Sequence, residues 1–400
     1  MSDSTFDTNE SDSSRVLIIG VGIAGPALGL ALRRAGIRCA VYDAGAAPRD
    51  LGGAFLNLAP NGLKVLEGLG LEQRVEELGF VNDRLVFHDA QGRIQKHVQV
   101  GGVTMLRGVL SRVLREAAMS AGVPFVFGKQ VEWVQERDGA VTVAFADGTA
   151  KTARLLVGAD GVHSRVRRSV FPDAPRPTYT GLVNLGGIVE TDLPPTGKAM
   201  HVYFGRRAFF GYAVRTSGET YWFSNAPFLE EPMPDDPAVV HGGAYRDRLL
   251  ELHDGDPAEI SQILSAVSGR IGIYPIYDLP KLTHWHSPSV CLIGDAAHVV
   301  GPHMGQGASL ALEDAFALSQ CLRDASDPSK AFDTFERMRR ARVDRASRPA
   351  RGAGQRKPPP ATLGRKLRDL MVPRFLRRTG NASQWMHNYP VDWDEPIGAG

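Results

Sequence analysis

Residues 15 to 43, RVLIIGVGIAGPALGLALRRAGIRCAVYD, decide the fold, because they predict a strand, a glycine turn, a helix and a second strand that ends in an acid. Val16 to Ile19 form a short apolar run suited to a strand that is buried on both faces. Gly20, Gly22 and Gly25 then follow at GxGxxG spacing. Gly20 permits the sharp turn, Gly22 lets the backbone approach a pyrophosphate, and Gly25 lets the helix pack on the strand.

The helix that follows this turn, from Ala24 onward, is expected to direct its free N–H groups at phosphates. The second strand, Cys39 to Tyr42, ends at Asp43, close to where the fingerprint places an acid that accepts hydrogen bonds from ribose hydroxyls. Such an acid favours an unphosphorylated ribose, so the stretch predicts FAD or NAD rather than NADP. A glycine turn that serves packing alone is the alternative, and the flanking strand, helix and acid argue against it.

Composition sets limits on the class of protein. A chain of 400 residues with 43% apolar content makes one or two domains with a substantial core, and a net charge of +2 argues against a nucleic-acid partner. The three cysteines lie in apolar runs without metal-ligand spacing, as expected in a reducing compartment. Glycines and Pro26 interrupt the apolar stretch Val16 to Leu32, and the segment before it is acidic, so we expect a cytoplasmic protein without a membrane span or secretion signal.

Two further buried strands are predicted to end in glycine and acid turns. Leu155 to Val157 precedes the first, which runs from Gly158 to Arg167, and Ser289 to Ile293 precedes the second, which begins at Gly294. Between them, residues 175–275 are rich in proline and aromatic residues and alternate as strands do, so they predict a separate antiparallel sheet with a helix near 244–267.

The order and combination of the three turns resemble the single-component flavoprotein aromatic hydroxylases, the para-hydroxybenzoate hydroxylase type of FAD monooxygenase. The likeness covers residues 15 to about 345. The chain's size, without an extra thioredoxin-like domain, and the segment from Gly53 to Gly62 look closest to the subgroup that holds tetracycline-inactivating monooxygenases.

The resemblance implies an α/β fold, in which a three-layer, Rossmann-like FAD-binding domain with a parallel sheet and a β-meander carries an inserted antiparallel-sheet substrate domain and C-terminal helices. The expected bounds are a disordered tail at 1–14, an FAD-binding domain at 15–80, 100–174 and 276–345, a substrate-binding sheet domain at 81–99 and 175–275, and a linker and helix at 346–400. The basic run 337–378 is better explained by helices with apolar faces than by a nucleic-acid or lipid partner.

The family's third turn implies contacts with the flavin end of FAD. Asp295 would bind the ribityl chain, Pro302 would lie beside the flavin ring, and Gly305, Gln306 and Gly307 would direct N–H groups at its pyrimidine end. Elementary electrostatics agrees, because a helix N-terminus stabilises the negative charge of a reduced flavin by about 1 kcal/mol.

Three more residues match family contacts with the phosphate part of the cofactors. Arg107 matches an arginine that contacts FAD, while Asp160 and Arg167 match a motif that serves both the FAD pyrophosphate and the nicotinamide donor. Taken alone, Asp160 could be a turn residue, Arg107 a solvated cation and Asp295 a helix cap, so these structural interpretations stay open. His298 and His303 are expected to be structural rather than catalytic.

The resemblance further implies that NADH or NADPH reduces FAD, and that dioxygen then forms a flavin C4a-hydroperoxide that hydroxylates an aromatic or polycyclic small molecule. The predicted substrate contacts are Arg207, Tyr212 and Tyr221, with both tyrosines on one sheet face above the flavin; aromatic residues that only fill the sheet core are the alternative. An FAD-dependent epoxidase, an oxygen-independent FAD oxidoreductase and a silent FAD-binding protein remain open, and the expected assembly is a monomer or homodimer.

Overall fold

The computed structural model describes residues 16–48, 50, 54–232, 243–269, 271–301, 305–354 and 384–397. The expected tail at 1–14 lies outside these ranges, as does most of the segment 346–400. Within them the chain forms a five-stranded, an eight-stranded and a three-stranded sheet. No helix in the described ranges has the length and apolarity needed to cross a bilayer.

The five-stranded sheet is parallel throughout and has the strand order β16-β10-β1-β2-β6. Its strands are β1 (Val16–Ile19), β2 (Cys39–Tyr42), β6 (Phe125–Val126), β10 (Leu155–Gly158) and β16 (Val290–Leu292). Every residue of β1, β2, β10 and β16 is buried, as continuous apolar runs require when both faces of a sheet are covered. The predicted buried strands are thereby confirmed.

Helices pack beside this sheet, and α1 and α8 begin directly after glycine turns. Helix α1 packs against both α4 and α8. The helices of this part of the molecule are α1 (Ala24–Arg34), α2 (Pro60–Gly68), α3 (Glu72–Leu78), α4 (Arg107–Ser120), α5 (Arg165–Val170), α8 (Gly307–Asp324), α9 (Pro328–Gly354) and α10 (Gln384–His387).

The three-stranded sheet is a β-meander. It consists of β7 (Val131–Arg137), β8 (Ala140–Phe145) and β9 (Ala150–Ala153), all antiparallel. Asp138 and Gly139 join the first two strands with φ angles of 53° and 75°. Positive φ at both residues is the geometry of a tight hairpin, which an Asp-Gly pair adopts readily.

The eight-stranded sheet has the order β15-β11-β14-β13-β12-β4-β5-β3 and is antiparallel except where β12 meets β4. Its strands are β3 (Phe55–Leu58), β4 (Phe80–His88), β5 (Ile94–Leu106), β11 (Thr178–Glu190), β12 (Ala199–Phe204), β13 (Phe209–Val214), β14 (Glu219–Pro227) and β15 (Gly272–Asp278). The sheet thus includes residues 55–58 and 100–106, beyond the predicted 81–99.

This sheet curls until its opposite ends meet. A Cβ on Gly186 of β11 would lie 3.0 Å from the ring of Phe55, although β3 is the edge strand at the far end of the sheet. The Phe55 ring is also 5.6 Å from the ring of Tyr221 on β14. We call the inner side, which carries Phe55, Gly186 and Tyr221, the concave face.

The opposite side, the helix-covered face, lies under α6 (Gly243–Leu252) and α7 (Ala258–Ser265). Its core includes Phe210 and Trp222 of the sheet and Leu249 and Ile263 of the helices. The sequence predicted one helix near 244–267. Two form instead, because Gly255 adopts a φ of +77° and Pro257 begins the second helix as its N-cap.

Candidate active site

The three glycine and acid turns meet at one edge of the parallel sheet. Gly20 follows β1, Asp160 comes two residues after β10, and Asp295 comes three residues after β16. These strands are neighbours and run in the same direction, so their carboxyl ends lie side by side. In open α/β sheets this edge is where ligands bind.

The first turn needs glycine at two positions because the backbone folds tightly on itself. Gly20 has a φ of +114°, and a Cβ there would lie 2.3 Å from the carbonyl oxygen of Ala159. A Cβ on Gly25 would lie 1.9 Å from the carbonyl oxygen of Gly20. Both distances are far below van der Waals contact, so the GxGxxG spacing here serves the turn that the sequence predicted.

Gly22 faces an open space beside a cation. A Cβ at this position would have only the Nη2 atom of Arg107 nearby, at 3.5 Å. Arg107 is exposed as the first residue of α4, and its guanidinium forms no hydrogen bond or ion pair with another residue of the described chain. The backbone N–H of Arg107 donates to Ala54, which fixes the start of the helix. This place is suited to a pyrophosphate, because Gly22 leaves space for it and both Arg107 and the N-terminus of α1 at Ala24 attract negative charge.

Asp43 is half-buried at the end of β2 and holds the glycine turn. Its Oδ2 accepts a hydrogen bond from the backbone N–H of Val21 at 2.8 Å, and its Oδ1 accepts one from Gly45 at 2.8 Å. Each carboxylate oxygen keeps a further lone pair for a ribose hydroxyl. The acid therefore supports the turn and can bind a nucleotide at the same time.

Asp160 has one oxygen in use and one without a partner. Its Oδ2 accepts hydrogen bonds from the backbone N–H groups of Arg165 at 2.7 Å and Val166 at 3.1 Å, which caps α5. Its Oδ1 is buried and has no partner among the described residues. Burial raises the pKa of this carboxyl, and the hydrogen bonds from Ser164 and the α5 backbone oppose the rise. A buried acceptor of this kind fits a hydroxyl or N–H donor of a bound cofactor.

Arg167 joins the second turn to the third. Its Nη1 donates to the carbonyl oxygen of Ala296 at 2.8 Å, and its Nη2 donates to that of Val162 at 2.6 Å. The side chain is buried, and burial lowers the pKa of the guanidinium. Arg167 thus lies close to the sheet edge at which the three turns meet, which we call the cofactor edge, and its two terminal nitrogens are bound to the protein.

Asp295 stands in a 3-10 turn, Gly294–Ala296, that continues from β16. The N-cap of this turn is Ile293, so the alternative role of Asp295 as a cap does not hold. The carboxylate is half-buried and forms no hydrogen bond within the described chain. An acceptor held in that state at the cofactor edge fits the hydroxyls of a ribityl chain.

The third turn ends at the N-terminus of α8. Gly305 has a φ of +59°, and no described atom lies within 4 Å of a Cβ built on Gly305 or Gly307. Gln306 is buried between them, and its Oε1 accepts a hydrogen bond from Asn61 at 3.1 Å. The first N–H groups of α8 are therefore open to a negatively charged group. Pro302, which the resemblance placed beside the flavin ring, and His303, which was expected to be structural, lie outside the described residues.

A buried ionic cluster lies behind this turn. Asp314 binds His298 at 2.6 Å and Arg339 at 2.7 Å, and it also accepts the backbone N–H of Gly294 at 2.9 Å. Burial by itself would raise the pKa of Asp314, but the charges and hydrogen bonds of His298 and Arg339 lower it to about 2. This contact is consistent with the structural role expected for His298.

The same cluster continues through Glu313. This carboxylate pairs with Arg339 at 2.6 Å and Arg342 at 2.6 Å, and it accepts a hydrogen bond at 2.7 Å from Asn61, the residue that also holds Gln306. Sequence reasoning missed this cluster. Its signal was present as two adjacent acids inside the apolar helix α8 and two arginines on one face of α9.

The predicted pairing of Tyr212 and Tyr221 on one pocket wall is wrong. Tyr212 stands opposite Trp222 and Tyr221 stands opposite Ala213, so the two tyrosines point to opposite faces of the sheet. Tyr212 belongs to the core under the helices. Tyr221 is on the concave face, but it is buried there against Phe55.

Arg207 also lies away from the concave face. Its Nε donates to the carbonyl oxygen of Leu252 at 3.2 Å, and its Nη2 donates to that of Glu251. These carbonyls end α6, which covers the other side of the sheet, and a cation there complements the helix dipole. This placement corrects the prediction that Arg207 pairs with a substrate anion.

The part of the concave face that stays half-buried carries different residues from those predicted. Phe223 and Asn225 follow Tyr221 at alternate positions of β14, while Phe209 and Asn184 stand opposite Asn225 on the two neighbouring strands. Aromatic rings and carboxamides with accessible surface on the inside of a curled sheet are suited to a planar ligand.

Comparison with known proteins agrees with this geometry. A family model described as an FAD binding domain matches residues 13–350. The 3-amino-4-hydroxybenzoate 2-monooxygenase of Streptomyces cremeus is 32% identical over 356 residues, which cover 84% of this chain and 86% of that protein. Klebsiella pneumoniae HpxO, solved in complex with FAD and uric acid, is 25% identical and has a TM-score of 0.76 over 94% of this chain and 95% of that one. The tetracycline destructase Tet(51) is 22% identical with a TM-score of 0.70 over 96% and 100% of the two chains, a likeness that shows the fold alone.

Proposed function

This chain belongs to the FAD-dependent aromatic hydroxylases, a family of flavoprotein monooxygenases, and on that premise we propose how its residues serve the reaction. The enzyme uses NADH or NADPH and dioxygen to hydroxylate an aromatic or polycyclic small molecule. One observation carries the assignment of its site. Gly22 with Arg107, Asp295, and the turn from Gly305 to Gly307 offer open or unpartnered groups along one sheet edge.

These groups would hold FAD from one end to the other. Arg107 and the N-terminus of α1 bind the pyrophosphate, Asp43 binds the ribose, Asp295 binds the ribityl hydroxyls, and the N-terminus of α8 faces the pyrimidine end of the ring. FAD, when bound, accepts the hydride and activates oxygen. Each anionic part of the cofactor thus meets a cation or a helix N-terminus.

Asp160 and Arg167 have supporting roles in this proposal. The unpartnered Oδ1 of Asp160 binds a hydroxyl or N–H group of FAD or of the nicotinamide donor. Arg167 holds the Asp160 turn against the carbonyl of Ala296, directly after Asp295. Removal of Arg167 would therefore disturb two cofactor turns together.

The concave face of the curled sheet supplies the substrate pocket. Its half-buried aromatic residues offer flat apolar surface, which excludes water and positions a ring for attack. Of the substrate contacts predicted from the sequence, Tyr221 lies beneath this surface, where it packs against Phe55 and supports the pocket.

Oxygen consumption during NADH or NADPH oxidation tests the function. The purified protein should carry FAD, and addition of a hydroxylatable aromatic compound should increase dioxygen uptake and yield hydroxylated product in place of hydrogen peroxide. Urate is a suitable first compound because relatives bear it in their names, and 3-amino-4-hydroxybenzoate, named for another relative, supplies an aromatic carboxylate for comparison. Oxidation of the nicotinamide without oxygen uptake would identify an oxygen-independent reductase, and bound FAD without turnover would identify a silent binding protein.

A further inference from the structure

We propose that the paired carboxamides of Asn184 and Asn225 select an uncharged aromatic substrate that donates an N–H or O–H group, and discriminate against aromatic carboxylates. The inference rests on the proposed function, because it takes the concave face as the substrate pocket of the hydroxylase.

The two side chains face each other across neighbouring strands. Asn184 of β11 stands directly opposite Asn225 of β14, and its Nδ2 donates a hydrogen bond at 2.7 Å to the Oδ1 of Asn225. Both residues are half-buried on the concave face. The pairing fixes both carboxamide planes, so the remaining polar atoms point in set directions.

One of those atoms has no partner. The Oδ1 of Asn184 is buried and accepts no hydrogen bond from any described residue. Buried acceptors are almost always satisfied in native proteins, because an unpaired one destabilises the fold. An acceptor left in this state beside accessible aromatic surface is suited to a ligand that brings a donor.

Aromatic side chains flank the carboxamide pair. Phe209 stands opposite Asn225 on the other side of β14, and its ring is 5.9 Å from that of Phe223. The Phe223 ring fills the place of a side chain at Gly211, since a Cβ there would lie 2.4 Å from it. The absence of a side chain lets the ring lie flat against the sheet. A planar ligand can therefore stack on aromatic surface while its edge meets the carboxamides.

The described neighbours of the pair on its own and the adjoining strands β11, β13 and β14 include no cation for a carboxylate. The concave-face positions from Asn184 to Ile188 on β11, from Tyr221 to Asn225 on β14 and from Phe209 to Ala213 on β13 are all uncharged. Arg215, at the far end of these strands, pairs with Glu219 at 3.4 Å and also donates to the carbonyl of Gly79. A substrate carboxylate at the carboxamides would lose water without gaining an ion pair, and it would face the Asn184 oxygen.

Matched ligand pairs test the selection. The probes are quinolin-2-one, an uncharged ring with an N–H donor, and quinoline-2-carboxylate, a ring of the same size with an anion; 4-hydroxybenzoate serves as a second anion. Binding to the holoenzyme is measured by the change in the flavin absorption spectrum. The expected result is a dissociation constant for quinolin-2-one at least about tenfold lower than that for either carboxylate.

Two variants test the residue. Asn184→Leu removes the acceptor and should weaken quinolin-2-one binding about fivefold or more. Asn184→Asp keeps an acceptor and should retain that binding while it weakens the carboxylates further. Gln135→Leu makes the same chemical change on an exposed position of β7 and should alter nothing.

Three results would overturn the proposal: carboxylates that bind as tightly as quinolin-2-one, no perturbation of the flavin by any probe, or an unchanged dissociation constant in Asn184→Leu. FAD content and NADH-driven or NADPH-driven peroxide formation without probe are measured in every variant. An unmutated protein without bound FAD or peroxide formation would contradict the proposed function itself. If both are present but the probes are not distinguished, only this inference is contradicted.

Discussion

Replacement of Arg339 by methionine should destabilise the protein strongly and weaken its hold on FAD. Arg339 is completely buried and pairs with Asp314 at 2.7 Å and with Glu313 at 2.6 Å. Methionine fills most of the same volume, but it removes the positive charge that Arg339 places beside the two buried carboxylates. Removal of one partner from a buried ion pair usually costs about 3 to 5 kcal/mol of unfolding free energy.

The effect should reach the cofactor because Asp314 also accepts the backbone N–H of Gly294 at 2.9 Å. A change in the Asp314 carboxylate therefore moves the turn that carries Asp295. We expect Arg339→Met to raise the dissociation constant of FAD, in addition to the loss of stability.

Urea unfolding of the holoenzyme at one fixed excess of FAD measures the first effect, and quenching of flavin fluorescence measures the second. Arg337→Met is the matched control, because Arg337 is exposed on the same helix and its substitution should stay within about 0.5 kcal/mol. Equal unfolding midpoints for the two variants would refute the reasoning that the cluster compensates buried charge.

Three further outcomes follow from the same structure. Asp295→Ala should raise the dissociation constant of FAD by about 10-fold to 150-fold, the loss of one charge-assisted acceptor, with an unchanged circular dichroism spectrum; wild-type affinity would contradict the ribityl assignment. The pKa of Asp314 is lowered to about 2, whereas that of a carboxyl in the unfolded chain is near 4. At pH values above about 4 the ionised Asp314 therefore contributes about 2 kcal/mol of stability, and this contribution is lost as the pH falls from about 4 to 2. An acid titration of the unfolding free energy should show a smaller loss in Arg339→Met than in the unmutated protein. Arg207→Ala should lower the free energy of unfolding by about 1 kcal/mol, because the contacts with α6 are lost, and the yield of product per NADH or NADPH should stay unchanged. A rise in peroxide in this variant would show that Arg207 contacts the substrate.

The cofactor edge could be predicted from sequence because its requirements are local. The φ of +114° at Gly20 and the close approach of Gly25 to Gly20 are demands of a turn that closes within six residues, and Asp295 comes three residues after its strand. In such cases the physical demand and the residue that meets it lie in one short stretch of chain.

The pocket face could not be predicted because it depends on strand register. The hairpin between β13 and β14 closes with Gly218 at a φ of +90° and pairs Val214 with Thr220. A register shifted by one residue would have paired Tyr212 with Tyr221, and the two tyrosines would then have shared one face of the sheet. The residue composition of the two strands does not specify this register, because the turn between them sets it.

The partners of buried polar groups were equally invisible. Asn61 binds Gln306 and Glu313, which lie far along the chain on another helix, and Arg167 binds the carbonyl of Ala296. No periodicity or spacing specifies such a pair, since each member looks like an ordinary helix or turn residue in its own segment.

The strand order of the parallel sheet has a consequence for how the chain is made. Val16 pairs with Leu155, and Leu156 pairs with Val290, so β1 is translated long before β16, the strand that completes the sheet. At about 5 to 20 residues per second, this interval is roughly 15 to 50 s. Contacts between such distant segments also form slowly, because loop closure precedes any gain from pairing. During that time the apolar residues of β1 and α1 are exposed to aggregation. We therefore expect slower translation, lower growth temperature or a folding chaperone to increase the yield of the flavin-loaded enzyme.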